Sequence, residues 1–161
     1  MIQKLKTFRS ADFFLQEFHF AVTYAIHTPE DCLEEQRFTR EFWKITRVLK
    51  GHGRILVEDT PFPVHEGSVI LVHPAAVTTF EILSKELEID NVLFDLSFLG
   101  NELESLRDNF RFFDIFSDSF KQKSSFAFYL QDTNPKITSL IGEMKREYKA
   151  RRTNYHIFLK A

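Results

Sequence analysis

Cysteine is almost absent from this chain. Cys32 stands alone, so no disulfide can form within it, and the expected setting is reducing and cytoplasmic. Long apolar runs are lacking too. No stretch approaches the ~20 residues of a membrane span, and residues 1–18, with Lys4, Lys6 and Arg9, hold nothing like a signal peptide's apolar segment. There is no excess of basic residues: 21 Lys and Arg stand against 23 Asp and Glu, for a net charge of −2. That balance leaves no positive field with which to grip DNA. Glycine is scarce, at five residues. No Gly-rich phosphate cradle and no Gly-x-Ser-x-Gly nucleophile elbow occurs. The six histidines (His19, His27, His52, His65, His73 and His156) are scattered, with no pair at metal-ligand spacing.

What the chain does have is phenylalanine: 19 of 161 residues. With 43% hydrophobic and 27% charged residues, this is an ordinary globular composition, sufficient for one well-filled core. Most of the Phe are expected as core, with an aromatic-lined pocket as the functional alternative. Short segments rich in Val, Ile, Phe and Thr recur between turn signals, as strands of an antiparallel barrel do. Phe18–Ile26 reads as a strand, followed by the turn His27-Thr28-Pro29. Between Phe38 and Ile82, breaks at Gly51-His52-Gly53, Asp59-Thr60-Pro61 and Glu66-Gly67 separate apolar-rich segments, the first break being read as a hairpin turn. Leu87–Leu96 is a further strand. Residues 1–18 read as an arm or edge segment. Six or more short strands with turns between them predict a jelly roll or barrel.

The texture changes after Gly100. A short helix is expected over Glu102–Leu106, and residues 110–130 give no clear signal. The clearest helix begins at Asn134-Pro135, a cap followed by a proline suited to the first helical position. Ile137, Leu140, Ile141, Met144 and Tyr148 then fall at helical spacing on one face. Asn154 is a candidate cap for a second helix over Tyr155–Leu159. That helix has no stop signal before Ala161, so the natural chain is expected to continue; the alternative is a frayed tail. The predicted division is a β-barrel with its arm over 1–100 and a helical segment over 101–161.

These residues carry a resemblance. Glu41-Phe42-Trp43, the strand Ile45–Leu49, Gly51-His52-Gly53, Ile55-Leu56-Val57, Glu66-Gly67-Ser68 and Val69–Pro74 resemble the ligand-sensing cupin domain of AraC-type bacterial transcription regulators. Met144–Tyr148 and Asn154-Tyr155 match that family's helical layout. The resemblance implies a mainly β fold with C-terminal helices: a cupin-like jelly roll followed by a helical dimerisation segment. It also implies that the ligand positions of metal-binding cupins fall here on Phe38, Arg40, Lys44 and Thr78. Phe cannot coordinate, and two cations would repel a divalent ion. No metal and no cofactor are therefore expected.

If Phe38 to Val48 is one strand, then Phe38, Arg40, Phe42, Lys44, Thr46 and Val48 share a face. Periodicity does not say which face is inward; the resemblance selects this one. The expected ligand site is Phe38, Arg40, Phe42, Lys44, Thr46, His73, Thr78 and Phe80, with the two cations donating and the Phe rings as walls. Against this stand blander readings: Arg40 paired with a carboxylate such as Glu35, Lys44 reaching out to solvent, and His73 structural. The leading function is a non-enzymatic sensor that binds a small effector, either a sugar or an anionic metabolite, and pairs as a homodimer through Ile137, Leu140, Ile141, Met144 and Tyr148. Packing of that stripe on the barrel is the alternative. DNA would be contacted only by a further domain beyond Ala161, and no membrane is involved. The runner-up is a stand-alone cupin, either a binder or a metal-independent isomerase or epimerase, for which His65, His73 or Glu58 would be the general acid or base.

Overall fold

The computed structural model describes residues 4–32, 36–100, 127–131 and 135–160. Among these residues are ten strands: β1 (Lys4–Phe8), β2 (Phe20–His27), β3 (Gln36–Arg40), β4 (Trp43–Lys50), β5 (His52–Val57), β6 (Thr60–His65), β7 (Ser68–Val72), β8 (Thr78–Ile82), β9 (Leu87–Phe94) and β10 (Ala127–Gln131). Two helices follow, α1 (Pro135–Ala150) and α2 (Tyr155–Lys160). One sheet runs β1-β3-β8-β5-β6 and the other β10-β7-β4-β9-β2. Apart from the parallel β1–β3 pair, all pairings are antiparallel. The chain alternates between sheets on passing from β3 to β4, to β5, and from β6 through β7 and β8 to β9. That alternation is the connectivity of a jelly roll, the expected fold class.

The turns differ from expectation in an instructive way. Gly51 does not close a hairpin, because β4 and β5 lie in different sheets. It is a crossover point with φ +90°, where a Cβ would sit 2.1 Å from the Glu86 carbonyl oxygen. Glu66-Gly67 is likewise a crossover. The true hairpin is β5–β6, where Val57 pairs with Thr60 across Glu58 and Asp59. Both central residues take positive φ, 49° and 64°, the backbone that suits the twist of a two-residue hairpin. Pro61 and Pro63 lie in β6, an edge strand, where a missing N–H breaks no central ladder.

Three apolar clusters fill the molecule. Val48, Ile55, Val57, Val64, Ile70, Val72, Ala76, Ile82, Leu87 and Ile89 pack between the sheets. Ala21, Phe42 and Leu93 form a second group, covered by Phe8, Phe13 and Phe14 of the N-terminal arm. The third lies outside the barrel, where Phe20, Trp43, Val92, Phe94 and Phe98 meet Ile141 and Leu159. Residue 100 is therefore no boundary in the packing. β10 extends the second sheet beside β7, and both helices share a core with β2, β4 and β9.

Of the five residues expected to form a dimer face, Ile141 is buried, and Ile137, Met144 and Tyr148 pack on the outer cluster. Only Leu140 stands exposed, near Phe158. Spacing identified the apolar stripe, but its main partner within the chain is the barrel. Asn154 has φ 65°, whereas an N-cap is normally extended. The reversal from α1 to α2 is built instead from left-handed residues at Arg151 and Asn154. The expected helix over 102–106 and the Asn134 cap lie outside the described residues.

Candidate functional site

Strand alternation gives the second sheet two faces with different tasks. Thr23, Ala25 and His27 of β2, Lys44 of β4, and Ile89, Asn91 and Leu93 of β9 face a cavity of about 350 Å³. Phe20 and Val22, Trp43 and Ile45, and Val92 and Phe94 face the helices. The opposite wall comes from Phe38 and Arg40 of β3 with Thr78 and Phe80 of β8, and the arm closes one side with Phe8 and Phe13. Phe8 stacks on Phe38 at 5.5 Å, and Phe13 meets Phe42 edge-on at 5.3 Å. The volume is within the range of small-molecule sites, and the lining is mostly apolar.

Six of the eight residues expected at the site border this cavity: Phe38, Arg40, Phe42, Lys44, Thr78 and Phe80. They do so although Phe38 to Val48 is not one strand. A break at Glu41-Phe42 carries the chain from one sheet to the other. Thr46 and His73 are not in the wall. Thr46 is fully buried, its hydroxyl donating to Asn91 Oδ1 at 2.8 Å. His73 packs edge-on against Trp43 at 4.8 Å, and its Nδ1 accepts the Ala75 N–H at 3.0 Å, as in its structural reading.

The two cations differ. Arg40 is 4% exposed and spends its guanidinium on neutral acceptors. Nη1 donates to the carbonyls of His73 (3.5 Å) and Ala76 (3.4 Å), and Nη2 to the Phe38 carbonyl (3.4 Å) and the Thr78 hydroxyl. It thereby ties β3 to β8 and to the loop before β8. Burial draws its pKa down to about 10, which leaves it charged at neutral pH. No described carboxylate pairs with it; Glu35, the partner considered from sequence, lies outside the described residues. Lys44 has less company still. Its Nζ lies 5.5 Å from the centre of the Phe80 ring, and no described acidic oxygen or hydrogen-bond acceptor engages it. Burial, and then the Arg40 charge, hold its pKa well below the ordinary lysine value. An ammonium in apolar surroundings without a counter-ion is an expensive arrangement.

Sequence reasoning did not reach the remaining titratable wall. His27 stacks on Phe80 at 5.9 Å, and its pKa is lowered by burial and then by Lys44. Asp31 is committed to the Thr28 backbone N–H (2.8 Å) and hydroxyl (2.9 Å), which lower its pKa. Burial, and then Asp31, push the Cys32 thiol up, the opposite of an activated nucleophile. Alternation along the expected strands could have nominated the odd-numbered residues of β2 and β9. The arm residues Phe8 and Phe13 carried no sequence signal, because only the tertiary fold brings them to the cavity.

Behind the cavity wall lies a buried ionic cluster. Asp90 is fully buried on β9. It accepts from Arg47 Nη2 at 2.7 Å and from Lys145 Nζ of α1 at 2.5 Å. Arg47 Nη1 donates to the Thr138 carbonyl in α1 at 2.6 Å, while its Nε is buried without a hydrogen-bond partner among the described residues. Lys145 also lies 4.8 Å from the centre of the Tyr24 ring. Asp90 and Asn91 are consecutive, so one strand serves the helix on one face and the cavity on the other.

The candidate acid–base groups of the enzymatic reading do not line the cavity. His65 lies exposed on β6 with its Nδ1 beside the Glu66 carbonyl, and Glu58 accepts the Val77 N–H in the β5–β6 hairpin. The positions that the resemblance matches to cupin metal ligands, Phe38, Arg40, Lys44 and Thr78, all border the cavity, but a phenyl ring, two cations and a hydroxyl are a poor donor set for a metal. Among the described residues no three His, Cys, Asp or Glu side chains group as a metal-binding set, and no helix is long and apolar enough to cross a membrane.

Solved structures with this architecture include ToxT from Vibrio cholerae bound to an unsaturated fatty acid. Its TM-score is 0.59 at 11% identity, covering 88% of this chain and 52% of that one. ToxT bound to (E)-4-(8-methylnaphthalen-1-yl)but-3-enoic acid gives 0.58 at 14% identity, with the same coverage. The chain thus spans about half the length of ToxT, and at these identities the likeness is one of fold. No curated protein matches the chain in sequence. The AraC-like ligand binding domain family, however, matches it over residues 24–158. The chain belongs to that family.

Proposed function

We propose that this domain is the effector-sensing part of a bacterial transcription regulator, and that its effector is an organic anion with an apolar body. The observation that carries this reading is Lys44: an ammonium without an acidic partner among the described residues, in a cavity whose wall is largely apolar, with Phe38, Phe42, Phe80, Ile89 and Leu93. A carboxylate beside it would offset the desolvation that the described surroundings leave uncompensated. Arg40, held by carbonyls, adds charge and rigidity rather than free donors. A sugar would leave these apolar walls unmatched, so of the two effector classes considered the anion is favoured. Both ToxT ligands named above are acids with apolar bodies, which agrees with this reading.

The reading is non-enzymatic and metal-free. Among the described residues of the cavity wall nothing pairs a poised base with an acid, and the raised Cys32 thiol argues against a nucleophile. Cavity occupancy would reach the helices through β4 and β9, whose opposite faces hold Lys44 and Asn91 on one side and the Arg47–Asp90–Lys145 cluster on the other. An effector shifts such an equilibrium only by the difference in its affinity for the two arrangements. DNA contact belongs, in this reading, to a part of the regulator other than these residues. Homodimerisation through the helices would use the exposed Leu140 of α1 and Phe158 of α2 rather than the buried Ile141. The test is thermal unfolding with octanoate, octanol and arabinose. Octanoate is expected to raise the Tm, octanol much less, and Lys44→Met to erase the octanoate shift. Equal shifts for octanoate and octanol would refute the anion reading.

A further inference from the structure

The inner face of the second sheet is banded. Across β2, β9 and β4 the register aligns Ala21, Leu93 and Lys44 in one row, Thr23, Asn91 and Thr46 in the next, and Ala25, Ile89 and Val48 in a third. The middle row is polar throughout, between neighbours that are apolar except for Lys44. Its groups are ordered by hydrogen bonds. The buried Thr46 hydroxyl donates to Asn91 Oδ1 at 2.8 Å, and Asn91 Nδ2 donates to the Thr23 hydroxyl at 3.4 Å.

A donor count shows what is left over. An amide nitrogen carries two hydrogens and a hydroxyl carries one. Asn91 Nδ2 spends one hydrogen on Thr23, and its other has no acceptor among the described residues. Thr23 Oγ1 receives that bond, and its own hydrogen likewise has no described acceptor. Both side chains border the cavity. Asn91 Oδ1 is turned to Thr46 and Nδ2 to Thr23, so the group the amide has to spare on the Thr23 side is an N–H. The wall therefore offers two donors and asks for an acceptor. Adjacent rows on one face are two residues apart, roughly 7 Å along the strand, so these donors are set off from the Lys44 row by a definite interval.

We infer that the cavity selects an oxygenated organic anion, whose carboxylate meets Lys44 and whose second oxygen, a hydroxyl or carbonyl within the apolar body, accepts hydrogen bonds from Asn91 and Thr23. This rests on the anion reading above and adds the specificity determinant. A plain apolar chain would cover the polar row and leave its donors unpaired, and leaving buried donors unpaired is the main source of discrimination by polar sites. Thr46 is a positioning residue: it touches no ligand and sets the orientation of the amide.

The experiment compares octanoate with its hydroxy and oxo positional isomers by thermal shift and calorimetry on the whole chain. One position of the oxygen is expected to bind about tenfold tighter than octanoate. Thr23→Val, nearly equal in volume, should reduce that preference, and Asn91→Leu should abolish it, the preference being read in each variant as the ratio of its affinities for the oxygenated acid and for octanoate. If Asn91→Leu does not fold, Thr23→Val and Thr46→Val carry the test, the latter by freeing the amide to turn. Octanoate binding with no gain from any oxygen position overturns the inference and leaves the anion reading standing. A preference that survives both Thr23→Val and Asn91→Leu also overturns it. Failure of every carboxylate to bind overturns both.

Discussion

Asp90→Asn is the perturbation with the clearest expected magnitude. The substitution keeps size and removes one charge. In the native protein that charge is fully buried and compensates two cations, Arg47 at 2.7 Å and Lys145 at 2.5 Å. Lys145, whose side chain is 23% exposed, can turn toward water. Arg47, at 9%, cannot do so without opening the contact between α1 and the sheet, and its Nε already lacks a partner. An asparagine would leave it a buried guanidinium with no counter-charge in the cluster, held only by neutral oxygens such as the Thr138 carbonyl. Removing one partner of a buried pair costs about 3–5 kcal/mol. For a domain of this size that is a fall in Tm of roughly 6–20 °C, measurable by calorimetry or by circular dichroism. The pair itself is a poor source of net stability, because desolvation of three charged groups offsets most of their attraction. Arg47→Met, Asp90→Leu and Lys145→Met together are therefore expected to unfold close to the parent temperature. A cost below about 1 kcal/mol for Asp90→Asn, or a triple variant as unstable as the single one, would refute the account of how the helix is held on the barrel.

Three further outcomes are expected. Because Lys44 is held well below its ordinary pKa by burial and then by Arg40, the unfolded chain binds more protons than the folded one between that lowered value and ~10.4. Stability should rise with pH through this window, and Lys44→Met should flatten the slope and stabilise the apo protein at neutral pH, as read from urea titrations at several pH values. A bound anion favours the ammonium, so effector binding should take up a proton and weaken as pH rises above the lowered value; calorimetry in buffers of different ionisation enthalpy measures that uptake. Gly51→Ala places a Cβ 2.1 Å from the Glu86 carbonyl oxygen at φ +90°, and should cost about 3 kcal/mol or more by urea unfolding; a change below about 1 kcal/mol would show that the crossover gives way easily.

The strands were legible because β-rich segments bounded by breakers have few other uses, and the observed limits of β2 and β9 fall within two residues of the expected ones. What the breakers join was not legible. Gly51-His52-Gly53 looks the same locally whether it closes a hairpin or passes the chain to the facing sheet, since the difference lies in which strands pair far away in sequence. The even-numbered residues from Phe38 to Lys44 reach the cavity by a route that periodicity misdescribes: two strands and a break rather than one strand. The stripe on α1 was correctly seen as apolar, but a stripe does not name its partner, and the barrel takes most of it.

By itself, then, the order of residues determined that this is a mainly β barrel with helices after it, because those properties are local: propensity and turn chemistry. The tertiary structure alone decided that Lys44 has no described counter-ion, that Thr23, Asn91 and Thr46 form one polar row, and that Asp90 joins strand to helix. Each depends on registers between segments tens of residues apart, where a shift of a single residue would turn every one of these side chains to the opposite face.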